Sequence, residues 1–174
     1  MSNIPSMQDL LTAGVHFGHQ VRRWNPKMRP FIFTAREGVH VIDLEKTFAK
    51  LGEACAFIKK VGEEGKMIVF LGSKKQAKAI IAEEAARCGA KYITERWIGG
   101  LLTNWEQTSK NIKKLAELRE KKEAGEFKDR TKRENLLIDR EIAKLERLYG
   151  GLDQLEKLPD ALFIVDVRKE ENAA

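Results

Sequence analysis

Met67-Ile68-Val69-Phe70-Leu71-Gly72-Ser73-Lys74-Lys75-Gln76 reads as a strand, a turn and the start of a helix. Five consecutive apolar residues are the pattern of a strand covered on both faces, as in a parallel sheet with helices on either side. Gly72 turns the chain. Ser73, with Gln76 three positions on, has the form of a capping box opening a helix that runs to about Cys88. Gly89 closes that helix, and residues 91–94 make a short strand. Upstream, Phe48, Leu51, Ala54, Cys55 and Ile58 recur at helical spacing across residues 45–64, and Gly65 ends the run. Downstream, Ala161-Leu162-Phe163-Ile164-Val165-Asp166-Val167 is a second strand of the buried kind. Strands alternating with helices predict an α/β fold on a parallel sheet with right-handed crossovers.

The flanks and the middle differ in kind. Residues 6–13 form a short helix, with Ser6 as cap and Asp9 reaching back to it. Residues 22–30 hold Pro26 and Pro30 and cannot be regular helix or central strand. Strands are expected at residues 31–33 and 39–43, around Gly38. Thr103-Asn104-Trp105-Glu106 and Thr131-Lys132-Arg133-Glu134 are further capping boxes, each opening a charged helix. Trp105, Ile112, Leu115 and Leu118 line one of these helices. Ile138, Ile142, Leu145 and Tyr149 step by four, three and four along the other, the spacing of a coiled-coil seam. Gly99-Gly100 and Gly150-Gly151 bracket the pair. The organisation expected is a body of residues 1–100 and 150–174, from which an antiparallel coiled-coil hairpin, residues 101–149, protrudes.

The 174 residues fit one domain, or one domain with an appendage. At net charge +6 the chain attracts polyanions. Residues 1–30 carry four basic groups against one acid, so the excess is densest there, while residues 150–174 are acidic, with three against six. Cys55 and Cys88 stand alone, with neither a disulfide framework nor a zinc ligand set around them. The opening Met1-Ser2-Asn3-Ile4-Pro5-Ser6 has no cationic segment followed by an apolar run, and no stretch is long enough to span a bilayer. A cytoplasmic protein without membrane partners is expected.

Catalytic constellations are sparse. Gly72-Ser73-Lys74-Lys75 sits where a helix N-terminus can hold a phosphate, yet lacks the upstream glycine of a nucleotide loop. His16 and His19 have a spacing metals use, but nothing nearby completes a ligand set, so neither metal nor cofactor is expected. Asp43 and Asp166 stand at strand ends and are expected to cap the turns that follow. Nucleic acid fits better. Arg22, Arg23, Lys27 and Arg29 fall within eight residues of irregular chain beside Trp24 and Asn25. Guanidinium groups fork onto phosphates, and a tryptophan either stacks on an unpaired base or packs into the core. Lys74 and Lys75, and then Lys110, Lys113 and Lys114 on the hairpin, are further candidates. A helical arm of this type serves protein docking equally well. Three readings therefore stand: a non-catalytic RNA-binding protein, an enzyme with a nucleotide cradle at residues 72–75, and a pure protein-interaction module.

Four stretches carry a resemblance. They are Leu11-Thr12-Ala13-Gly14-Val15-His16-Phe17-Gly18-His19, Trp24-Asn25-Pro26-Lys27-Met28-Arg29-Pro30-Phe31-Ile32, Arg96-Trp97-Ile98-Gly99-Gly100-Leu101-Leu102-Thr103-Asn104 and Leu158-Pro159-Asp160-Ala161-Leu162-Phe163-Ile164. In this order they resemble the bacterial small-subunit ribosomal protein S2 family over the whole chain. The resemblance implies a flavodoxin-like (Rossmann-like) sheet with a protruding hairpin. It also implies binding to small-subunit ribosomal RNA, bridging of head and body, and help in docking ribosomal protein S1, which captures messenger RNA. Arg96, Trp97 and Asn104 join the candidate RNA contacts through it. The family continues past the equivalent of Asp166 with a further helix and strand, so an open sheet edge is expected here. A metal site of some members would draw on that further region, leaving His19 a partial ligand set.

Overall fold

A computed structural model describes residues 4–174, and the chain divides into two compact units, Met1–Glu63 and Glu64–Ala174. The second contains the parallel sheet. Strands β4 (Ile68–Leu71), β5 (Lys91–Ile93) and β6 (Ala161–Ile164) pair in the order β5-β4-β6, all parallel, with β4 in the centre. Central position explains the composition of β4: Val69 and Leu71 are fully buried and pair with Lys91 and Ile93 on one side and Leu162 and Ile164 on the other. Helix α3 (Lys78–Cys88) buries Ile81 and Ala85 and ends on Gly89 in the left-handed conformation, as its sequence predicts. The expected α/β architecture of a parallel sheet with helices around it is present.

Two helices, α4 (Trp105–Glu123) and α5 (Lys132–Tyr149), run antiparallel in this unit. Cross-helix bonds fix the direction: Asn111 Nδ2 donates to the Tyr149 hydroxyl, Lys114 pairs with Glu141, and Lys122 pairs with Asp139. Ile112 and Leu115 of α4 and Ile142 and Tyr149 of α5 share one buried cluster with Val69, Leu71 and Ile93 of the sheet. Burial of this kind contributes roughly 1.5–3 kcal/mol per large aliphatic side chain.

In the first unit, β1 (Phe17–Gln20), β2 (Ile32–Arg36) and β3 (Val39–Ile42) form an antiparallel sheet in the order β1-β3-β2. The strands expected near 31–33 and 39–43 are β2 and β3, joined by the two-residue turn Glu37-Gly38, both residues at positive φ. Strand β1 is an addition that the sequence pattern hid. Gly18 lies in it because a Cβ there would come within 2.9 Å of the His40 carbonyl oxygen of β3. Helix α1 (Met7–Thr12) begins with the expected Ser6–Asp9 capping box. Helix α2 (Leu44–Glu63) begins under Asp43, whose Oδ1 accepts the backbone N–H of Glu45 and Lys46.

Two of the four expected capping boxes are absent. Ser73 caps nothing; α3 starts at Lys78 after an intervening turn, with Ala77 at the cap position. Thr103 is likewise displaced: Asn104 takes the position before α4 and makes no side-chain cap bond. Strand β6 also stops short of the expected residue 167, because Asp166 adopts φ +69 and turns the chain.

Candidate nucleic-acid interface

The residues of the basic arm are held by local geometry. Val21–Arg23 and Pro26–Phe31 are short 3-10 turns, and the Asn25 side chain accepts the Lys27 N–H at 2.9 Å at the start of the second. Two prolines and the tight pitch point successive side chains outward, so every residue from 21 to 30 is exposed. Arg22 donates Nε to Gln20 at 3.1 Å. Among the described residues, Arg22, Arg23, Lys27 and Arg29 make no ion pair, so no acid neutralises these four cations in eight residues. Trp24 is 36% exposed, and its ring lies tilted at 5.2 Å from that of His40 on β3. It packs on one face and keeps part of its surface open.

The other candidates sort by whether an acid already occupies them. Lys74 pairs with Asp166 at 2.9 Å, Lys110 with Glu106 at 2.8 Å, and Lys114 with Glu141. Lys75, Arg96 and Lys113 are exposed and make no ion pair among the described residues. Trp97 is half-buried against the main core cluster, while Asn104 is exposed and its N–H donates to the Gly100 carbonyl at 2.7 Å.

A cavity of about 780 Å³ opens beyond the C-terminal ends of β4 and β5, lined among others by Ser73, Arg96, Trp97, Lys169 and Glu170. This is where open α/β sheets hold ligands. The Ser73 donors at its edge, however, are already in use. The Glu170 carboxylate, 4% exposed, accepts both the Ser73 N–H at 2.9 Å and the Ser73 hydroxyl. A carboxylate thus takes the place a phosphate would need. Gly72 is there for packing, since a Cβ at this position would overlap Ile81 Cδ1 and press on Val165. Asp166, besides holding Lys74, accepts the Lys169 N–H and caps the final turn, the role expected of it. Its pKa is lowered, chiefly by the bond from Lys74. These contacts occupy the Ser73 and Lys74 groups that a nucleotide cradle at residues 72–75 would use.

Among the described residues no group of three or more histidines, cysteines or acids could hold a metal ion, and no helix is long and apolar enough to cross a membrane. His16 Nδ1 and both ring nitrogens of His40 are buried without hydrogen-bond partners among the described residues.

Sequence reasoning overlooked one set of cations, Arg133, Arg140, Lys144 and Arg147 on α5, all exposed. The signal was available: spacings of seven, eleven and fourteen residues from Arg133 return to one helix face. Attention to the apolar seam on the opposite face hid it.

Comparison with known proteins gives the family. A model of "Ribosomal protein S2" matches residues 10–174. The "Small ribosomal subunit protein uS2" of Rippkaea orientalis (strain PCC 8801 / RF-1) is 49% identical over 170 residues, covering 98% of this chain and 63% of the relative. That of Petrotoga mobilis (strain DSM 10674 / SJ95) is 50% identical over 171 residues, 98% of this chain and 59% of the relative. That of Roseiflexus sp. (strain RS-1) is 52% identical over 165 residues, 95% and 63%. The chain spans less than two thirds of the length of these relatives. With the four motifs in order, the parallel sheet present and the match running over nearly every residue, the chain belongs to the ribosomal protein S2 family.

Proposed function

We propose that the chain is a non-catalytic, cytoplasmic constituent of the small ribosomal subunit that binds ribosomal RNA through its basic arm. The observation that carries this reading is the cluster of Arg22, Arg23, Lys27 and Arg29, exposed on 3-10 turns and free of ion pairs among the described residues, next to a partly open Trp24. Arginine forks suit phosphate oxygens, and the free edge of Trp24 offers a stacking surface. Lys75, Arg96, Lys113 and Asn104 are secondary contacts. Lys74, Lys110 and Lys114 reach phosphate only by exchanging Asp166, Glu106 and Glu141 for it. Residues 1–100 and 150–174 form the RNA-binding body in this reading, and residues 101–149 form an arm toward neighbours. In this reading the chain also takes part in bridging head and body and helps dock ribosomal protein S1, a role that the family resemblance supports.

The test is binding of the chain to small-subunit ribosomal RNA over a salt series. Each phosphate contact adds roughly 0.7–0.9 to the slope of log affinity against log salt. The variant Arg22→Gln/Arg23→Gln/Lys27→Gln/Arg29→Gln should bind at least about tenfold more weakly with a slope shallower by about 3. Its melting temperature should stay near that of the parent. An unchanged slope, or a loss of fold equal to the loss of binding, overturns the reading.

A further inference from the structure

Helix α5 segregates its charges by face. Its acids are all committed on the side toward α4 or at its start. Glu134 closes the capping box with Thr131, Asp139 pairs with Lys122, Glu141 with Lys114, and Glu146 with Arg119. At about 100° per residue, Arg133, Arg140, Lys144 and Arg147 fall within a sector of about 60°, opposite Ile142 and Tyr149 of the buried face. They form a row about 21 Å long. Among the described residues none of the four makes an ion pair, and Leu136 and Leu137, about half exposed, lie between Arg133 and Arg140.

A merely solvated helix face intersperses signs, because opposite charges three and four residues apart stabilise a helix and like charges weaken it by similar amounts. Arg140, Lys144 and Arg147 repel at those spacings with no α5 acid between them on their face, while Glu95, already paired with Lys78, lies within coulombic range of Arg147. That arrangement is unfavourable for the isolated chain and favourable against a polyanion. Three of the four cations are arginine, the side chain suited to bidentate phosphate contact. No aromatic side chain lies on the row, so it has nothing on which to stack an unpaired base.

We infer that the outer face of α5 is a second RNA-binding surface, laid along the phosphate backbone of a double-stranded segment. Leu136 and Leu137 lie against its sugar edge. This site is separate from the arm, and it rests on the reading of the chain as an RNA-binding protein.

The experiment uses the full chain with two probes, an RNA duplex of about 16 bp, the span of two successive minor grooves, and a single strand of equal length. The parent chain should prefer the duplex. The variant Arg133→Gln/Arg140→Gln/Lys144→Gln/Arg147→Gln should lose at least about tenfold in duplex affinity and reduce the salt slope by about 3. Replacing the three arginines by lysine should keep the slope. Removing like charges from one face should leave the melting temperature unchanged or higher. The variant Lys50→Gln/Lys59→Gln/Lys60→Gln on α2, which removes three positive charges against four, controls for the general loss of charge, and an equal slope loss per charge removed overturns the inference. So does a photocrosslinker at residue 137 that attaches, in assembled subunits, to protein and never to RNA. If the parent chain ignores ribosomal RNA altogether, the proposed function fails as well. If arm-dependent binding persists while the α5 variant matches the parent on duplex, only the present inference fails.

Discussion

At the scale of single residues, the carboxylates do most of the local positioning. Asp160 accepts the Met67 N–H at 2.8 Å, while its own N–H and that of Ala161 donate to the Met67 carbonyl, so β4 and β6 start in register. The bond from Met67 holds the Asp160 carboxyl below the usual carboxylate range, with Lys157 and Lys66 helping. Asp43, Glu95, Glu134 and Asp166 are lowered too, by Lys46, Lys78, Thr131 and Lys74 respectively. A carboxylate with a depressed folded pKa gives stability that is complete above its unfolded value and lost as pH falls through the folded one. Stability should therefore decline below about pH 4. Asp160→Asn should lower the melting temperature at pH 7, and its deficit against the parent should shrink as pH drops below about 4, read by thermal denaturation at a series of pH values. The Asp160 contact was not legible in advance, because Asp160 and Met67 meet only once the sheet has formed.

Among elements, legibility depended on whether the cause was local. The Ser6–Asp9 and Thr131–Glu134 caps, Gly89 after α3 and the apolar runs of β4 and β6 were readable because each is decided within a few residues. The Ser73 cap failed because Glu170, 97 positions away, takes the same hydroxyl and N–H. Strand β1 was missed because Gly18 and His19 interrupt its apolar pattern, and only the approach of His40 explains the glycine. The candidate site divided similarly. The exposed arm was visible as composition, whereas the pairing of Lys74 and Lys114 depends on tertiary neighbours. For α5 the local cap gives a direct expectation. Thr131→Ala should cost about 1 kcal/mol, measured by denaturant titration, with α4 and the sheet otherwise intact.

Over the whole molecule, burial is unequal. Of the fifteen buried apolar side chains among the described residues, only Leu10 and Val61 belong to the first unit, which also holds Phe17, Phe33 and Phe57 with more than half of their surface exposed. Opening free energies follow buried apolar contact. Amides of β1–β3 should exchange with deuterium faster than those of β4 in the free chain, and addition of small-subunit ribosomal RNA should slow them, because the arm proposed to bind it is part of that unit. Equal protection in both states would contradict this. The α4–α5 seam works on another footing: Ile112, Leu115, Ile142 and Tyr149 pack through apolar surface, whereas surface pairs such as Lys122–Asp139 and the proposed phosphate contacts are screened within about 3 Å at molar salt. A concentrated-chloride wash should therefore strip bound nucleic acid from the protein while leaving its helical signal unchanged, a simple route to clean, folded material.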